Sequence, residues 1–170
     1  MADKYRFLKG PMNTIVVPVQ PNTEIEVGDF VFLDAVDNLR NNDSSTASHK
    51  AYPFDSLDAA AGHAAAAVDA SDYFLGIALE AHDSDSVDDN ILVGTDGDWV
   101  MDLDTTTSVK VGYSIEPYSA SGVEVYDQKC KAVPIGSQAN PLGWCIKEED
   151  NATEVQFRMR SKYGLGGLIK

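Results

Sequence analysis

The stretch HDSDSVDDN, residues 82–90, places Asp83, Asp85, Asp88 and Asp89 close together, and hard divalent cations take several carboxylate oxygens at once. Counted from Asp83 as the first ligand of a helix-flanked calcium loop, the sixth position is Asp88, where the turn needs glycine. The twelfth is Gly94, where a bidentate glutamate is needed. The spacing fails that motif and leaves only loose cation binding. His49, His63 and His82 stand far apart, without a His or Cys partner at metal-ligand spacing, and Cys130 and Cys145 have no second pair. SKYGLGGL, 161–168, has the glycines of a phosphate loop but lacks Gly-Lys-Ser/Thr, and there is no Gly-x-Ser-x-Gly elbow. Acids are so abundant that some pair must lie close, so proximity alone argues for no hydrolase. The expectation is a chain with no catalytic residue, no metal and no cofactor.

The formal charge of the 170 residues is −14, which disfavours a nucleic-acid partner, because binding phosphates relies on Lys and Arg releasing counterions. The charge is uneven. No Lys or Arg falls between Lys50 and Lys110, while Lys4, Arg6 and Lys9 mark the start and Arg158, Arg160, Lys162 and Lys170 the end. No apolar run approaches the ~20 residues of a membrane span, and no leader pattern opens the chain. The two cysteines sit in apolar, strand-like runs and are expected to be free.

The elements that would carry these residues read as strands. NTIVVPV (13–19) is the first, with Pro18 marking an edge or an end. IEVGDFVFLDA (25–35) follows, with Phe30 to Leu33 suited to burial on both faces. DSLDAAAGHAAAAVD (55–69) is the one helix candidate, capped by Asp55 or Ser56. Strands then recur every eight to twelve residues or so, separated by Gly, Pro, Asn and Asp turns, the pattern of a sandwich or barrel. The fold class expected is all-β, a small β-barrel or sandwich with one short Ala-rich helical insertion. Its parts are an N-terminal arm (1–12), one domain (13–157) with a loop-helix insertion at 34–72, and a C-terminal tail (158–170).

One phrase occurs twice. IEVGDFVFL (25–33) precedes FLGIALEAHD (74–83), and VKVGYSIEPY (109–118) precedes PLGWCIKEED (141–150). Each copy is an apolar-x-Val-Gly segment, an excursion and an apolar Leu-Gly strand. Glycine inside a strand marks a bulge, a bend or close backbone approach. Gly28, Gly76, Gly112 and Gly143 at matching points are therefore expected to bend strands toward barrel closure.

The stretch from Gly97 to Met159, GDWVMDLD…VKVGYSIEPY…SGVEVYD…AVPIG…LGWCIKEED…EVQFRM, resembles the small β-barrel domain of tailed-phage capsid decoration (cement) proteins of the lambda gpD-like kind. The resemblance is loose over 13–33 and 73–82 and does not extend to 34–72. It implies a structural virion protein, made in the host cytoplasm. Homotrimers on the outer surface of the capsid would bind the major capsid protein and bridge capsomers. The mixed cationic and aromatic termini, Lys4, Tyr5, Arg6 and Phe7 with Arg158, Arg160, Lys162 and Tyr163, then become the expected capsid or subunit contacts. Two other classes fit the composition. A recognition module would expose Trp99, Tyr113, Tyr118 and Tyr126 as a platform for glycans, and a trimeric β-fold hydrolase would act at a subunit interface.

Overall fold

The computed structural model describes residues 6–10, 12–35, 47–57, 63–86, 89–119 and 125–163. It is all-β with one short α-helix among the described residues. The strands are β1 (Arg6–Lys9), β2 (Thr14–Pro18), β3 (Phe30–Leu33), β4 (Ala51–Pro53), β5 (Phe74–Ala78), β6 (Asn90–Gly94), β7 (Asp98–Val109), β8 (Ser114–Ser119), β9 (Val125–Val133), β10 (Gly143–Cys145) and β11 (Glu149–Met159). The helix α1 (His63–Asp72) packs mainly against β8.

The first sheet runs β2-β6-β5-β3-β4, and a parallel bridge from Val19 to Ala51 joins its ends into a five-stranded barrel. The second runs β1-β7-β11-β10-β8-β9, and parallel pairing of Asp102 with Lys129 and Leu103 with Cys130 brings β7 onto β9. With β1 set aside, the second barrel has the strand order and closure of the first.

The duplication reaches single hydrogen bonds. Gly28 N–H donates to Ala78 O, Ala78 N–H to Asp29 O, and Asp29 N–H to Glu26 O. The second barrel repeats all three as Gly112 to Cys145, Cys145 to Tyr113, and Tyr113 to Lys110. Val31 pairs with Gly76 as Ile115 pairs with Gly143, and the Ile25–His82 bridge has its counterpart in Val109–Glu149. The repeated phrase is thus a repeated structure.

Gly28 and Gly112 do not lie within strands as expected. Each sits in a tight turn ahead of β3 or β8, with φ of 102° and 90°, a region glycine enters without the Cβ penalty. Gly76 and Gly143 do lie within strands, β5 and β10. A Cβ on Gly76 would strike Gly94 O, and one on Gly143 would strike Arg158 O.

The interiors correspond too. Val17, Val19, Val31, Ala51, Leu75, Ala78, Ile91 and Val93 fill the first barrel. At the matching register positions the second holds Met101, Leu103, Ile115, Cys130, Leu142, Cys145, Val155 and Phe157. The barrels pack together through the outward faces of β3 and β5. There Phe30, Phe32 and Phe74 alternate with Val31 and Leu75, so both faces of these strands are buried, as the unbroken apolar run Phe30–Leu33 implies. The Phe30 ring lies 5.5 Å from Phe54, 5.7 Å from Phe74 and 6.5 Å from Phe157, at tilted and edge-on angles. Burying one such ring contributes roughly 1.5–3 kcal/mol.

Two local expectations need correction. Residues 54–56 form a 3-10 turn and Leu57 is extended (ψ 146°) and buried, so the helix does not start at Asp55 or Ser56. The apolar anchors Phe54 and Leu57 both enter the core. Residues 26–29 turn instead of continuing a strand from Ile25. β7 runs on through Thr105–Ser108 to Val109, the β-branched threonines holding an extended backbone. The long excursion after β3 is stapled at its base, where Asp34 accepts from the backbone N–H and hydroxyl of Ser48 at 2.9 and 2.7 Å.

Replacing Gly76 or Gly143 with alanine is expected to cost about 1–3 kcal/mol or more, because a backbone carbonyl has to move. Gly136, where φ is 94° but an added Cβ meets nothing within 4 Å, reports the backbone cost of alanine without a close contact. Urea denaturation compares the three; equal midpoints would refute the close-approach role.

Candidate functional site

Between the barrels lies an acidic cleft of about 430 Å³. Glu24, Glu26 and Asp29 reach it from the turn before β3, Asp55 from the 3-10 turn, and Tyr126, Asp127 and Gln128 from β9. Asp29 is buried: Oδ2 accepts the Glu26 N–H at 2.7 Å and Oδ1 accepts from Gln128 Nε2 at 2.8 Å. Burial, reinforced by the negative charges of Glu26 and Asp55, pushes its carboxyl up to about 6. Those two hydrogen bonds pull the other way without reversing the shift.

The predicted contact residues come together in part. β1 and β11 both flank β7, and the register sets Lys9, Asp98 and Arg158 in one cross-strand row with Arg6 two rows further along, opposite Val100. The chain's two basic ends therefore meet on one barrel, where 158–159 belong to β11 and 6–9 to β1, as built strands and not as tails. Arg158 forks onto the buried Asp98 at 2.8 and 3.1 Å, and this pairing raises its already high pKa. Lys162 binds Asp72 at 2.7 Å. Arg6, Lys9 and Arg160 are exposed. Phe7 packs edge-on against Trp99, with ring centroids 5.4 Å apart at 71°. Tyr163 is exposed at 37% of its surface, and the burial of the remainder raises its phenol. Lys4, Tyr5, Asp88 and the segment 164–170 lie outside the described residues.

The aromatic platform does not form as expected. Trp99 is buried and donates from Nε1 to Asp96 O at 3.1 Å, bracing the turn that links the barrels. Tyr118 and Tyr126 do stack, 5.2 Å apart, with Lys129 Nζ 5.3 Å from the Tyr126 ring.

Both thiols are free and buried. Burial raises each: Cys130 donates to Asp102 O at 3.4 Å and Cys145 to Lys147 O at 3.0 Å. Neither is a nucleophile in this setting. His82 Nδ1 lies 2.7 Å from Thr23 O, which assigns that nitrogen the proton. Among the described residues, no three His, Cys, Asp or Glu side chains converge at metal-binding distance.

Sequence reasoning missed Glu116. It is buried, accepts the Ala139 and Asn140 N–H groups at 2.7 and 3.2 Å and pairs with Lys131 at 3.7 Å, pinning the loop before β10. Nothing in the local pattern of IEPY marks a buried acid.

Because the folded-state pKa of Asp29 exceeds its unfolded value, the native state holds this proton more tightly. Stability from this group is therefore greatest below about pH 4 and is lost as pH rises to about 6. Asp29→Asn should flatten that slope and gain on the order of 1–2 kcal/mol over wild type at pH 7 relative to pH 4. Thermal melts of both proteins across that range check it; parallel curves would refute it.

No family model, curated protein or solved structure matches the chain.

Proposed function

We propose that the protein is a structural virion subunit, a capsid decoration or cement protein that binds the outer surface of a phage head and bridges its capsomers. One observation carries this reading: in a chain of charge −14, the basic N- and C-terminal segments flank the same strand, β7, with Arg6 and Lys9 on β1 and Arg158 on β11. A cationic flank on an acidic body orients the molecule toward an acidic partner and turns the rest of it outward. The duplicated barrels are filled by their own side chains, a construction suited to a rigid spacer whose work is adhesion. The resemblance of 97–159 to cement proteins supplies the partner, the major capsid protein. Standard interfaces bury about 1,600 Å², and such a contact repeated over a shell resists internal pressure without any reaction.

The recognition-module reading keeps the stacked Tyr118 and Tyr126 but loses Trp99 to the core. It is the weaker of the two.

Purified protein should co-sediment with expanded, DNA-filled heads and not with immature shells. The triple variant Arg6→Glu, Lys9→Glu, Arg160→Glu should bind at least about tenfold more weakly, with salt reducing wild-type binding in parallel. Arg158 is left intact because it neutralises buried Asp98. Binding indifferent to salt and to the triple variant would overturn the cationic-flank assignment, and absence of co-sedimentation would overturn the function.

A further inference from the structure

The two barrels differ at one edge. In the second, the outer edge of Asp98–Val100 is covered by β1, with Arg6 opposite Val100 and Phe7 opposite Trp99, while Asp102 and Leu103 further along pair with β9. In the first, Val19 bridges to Ala51 at the position matching Leu103 and Cys130. The segment matching Asp98–Val100 is Thr14–Val16, and β2 ends its sheet there, with no strand on that edge among the described residues.

The backbone of this segment is available. Thr95 N–H donates to Asn13 O and Val19 N–H to Asp89 O, so the odd-numbered residues of β2 turn their backbone groups to the β6 side. By the alternation of an antiparallel ladder, the N–H and C=O of Thr14 and Val16 point outward. The Val16 side chain is 69% exposed.

Edge strands avoid unwanted pairing with charges or proline. β1 carries Arg6 and Lys9 at its two ends, whereas residues 12–20, MNTIVVPVQ, hold no charge at all. Only Pro18 interrupts, at the strand's last residue. Two copies of a chain of charge −14 repel each other over most approaches, and this uncharged edge is where they can meet.

We propose that Thr14–Val16 pairs antiparallel with the same segment of a second copy of this chain, about a two-fold axis at Ile15. The partner's β2 takes the place that β1 takes on β7. β1 itself is engaged on its own barrel, and the like edge of a second copy is the self-complementary occupant that a two-fold contact demands. Thr14 then faces Val16 of the partner twice, and the two pairs exchange four backbone hydrogen bonds. The inference rests on the duplication and not on the shell-binding reading.

Sedimentation equilibrium should show a concentration-dependent dimer whose dissociation constant rises at least about tenfold in Val16→Lys, since the two introduced lysines would then be diagonal neighbours on one face of the joined sheet, within reach of each other. A melting temperature for Val16→Lys equal to that of wild type, both measured at a concentration where wild type is monomeric, shows that the fold is intact. The double variant Thr14→Cys, Val16→Cys places the two thiols at the ~5.5 Å Cα spacing of a hydrogen-bonded pair, inside the range a disulfide bridges. It should oxidise to a reducible covalent dimer, while buried Cys130 and Cys145 stay out of reach. A strict monomer, or a dimer or trimer whose mass survives Val16→Lys, overturns the proposal, as does failure of the double variant to cross-link when wild type dimerises.

Discussion

In each barrel a backbone carbonyl from the neighbouring strand occupies the space where a side chain would begin: Gly94 O against Gly76, and Arg158 O against Gly143. Five short strands can close on an interior of a few aliphatic side chains only if one crossing is that tight, because a small barrel needs strong local bending. The turn glycines serve the same closure. With φ near 100° they return the chain so that its next two backbone groups bond the residues just past the tight crossing, Ala78 and Cys145. Turn, crossing and bonds form one unit, and the chain folds it twice.

This explains what was legible in the sequence. Glycine positions imposed by backbone contact survive divergence of everything around them, so IEVGDFVFL…FLGIALE and VKVGYSIEPY…PLGWCIK still align by eye while their excursions differ in length. The side chains drift in volume without breaking the register: Val93 stands where Phe157 does and Ala51 where Cys130 does. What was not legible is that each phrase closes its own barrel. Closure depends on parallel contacts between Val19 and Ala51 and between Leu103 and Cys130, distant in sequence and without local pattern. The helix start misled for a related reason. Asp55, Ser56 and Asp58 have the local chemistry of a cap, yet burial of Phe54 and Leu57 decided the backbone there.

The candidate site divides in the same way. Clustering of cations at the two ends of the chain is visible in the sequence, but their meeting around β7 needs the sheet order. That order also consumes part of the charge. Arg158 neutralises Asp98, so the bidentate pair is a structural element of the β7–β11 ladder, while Arg6 and Lys9 on β1 beside it are exposed. The acidic cleft was invisible as a unit because its members come from the turn before β3, the 3-10 turn and β9. Only folding makes Asp29 buried and neighbour to Glu26 and Asp55, and only then does its proton become hard to remove.

The two barrels present different surfaces on one repeated scaffold. The second has a covering strand, larger interior side chains and the basic flank; the first has small aliphatic contents and an edge at β2 that is uncharged and, among the described residues, uncovered. Because the shared scaffold is held by backbone contacts at Gly76 and Gly143 and not by surface residues, either surface can change without unfolding its barrel. The two faces are independent in that sense: a change of charge around β7 should alter what the second barrel adheres to, while the β2 edge of the first remains as it is.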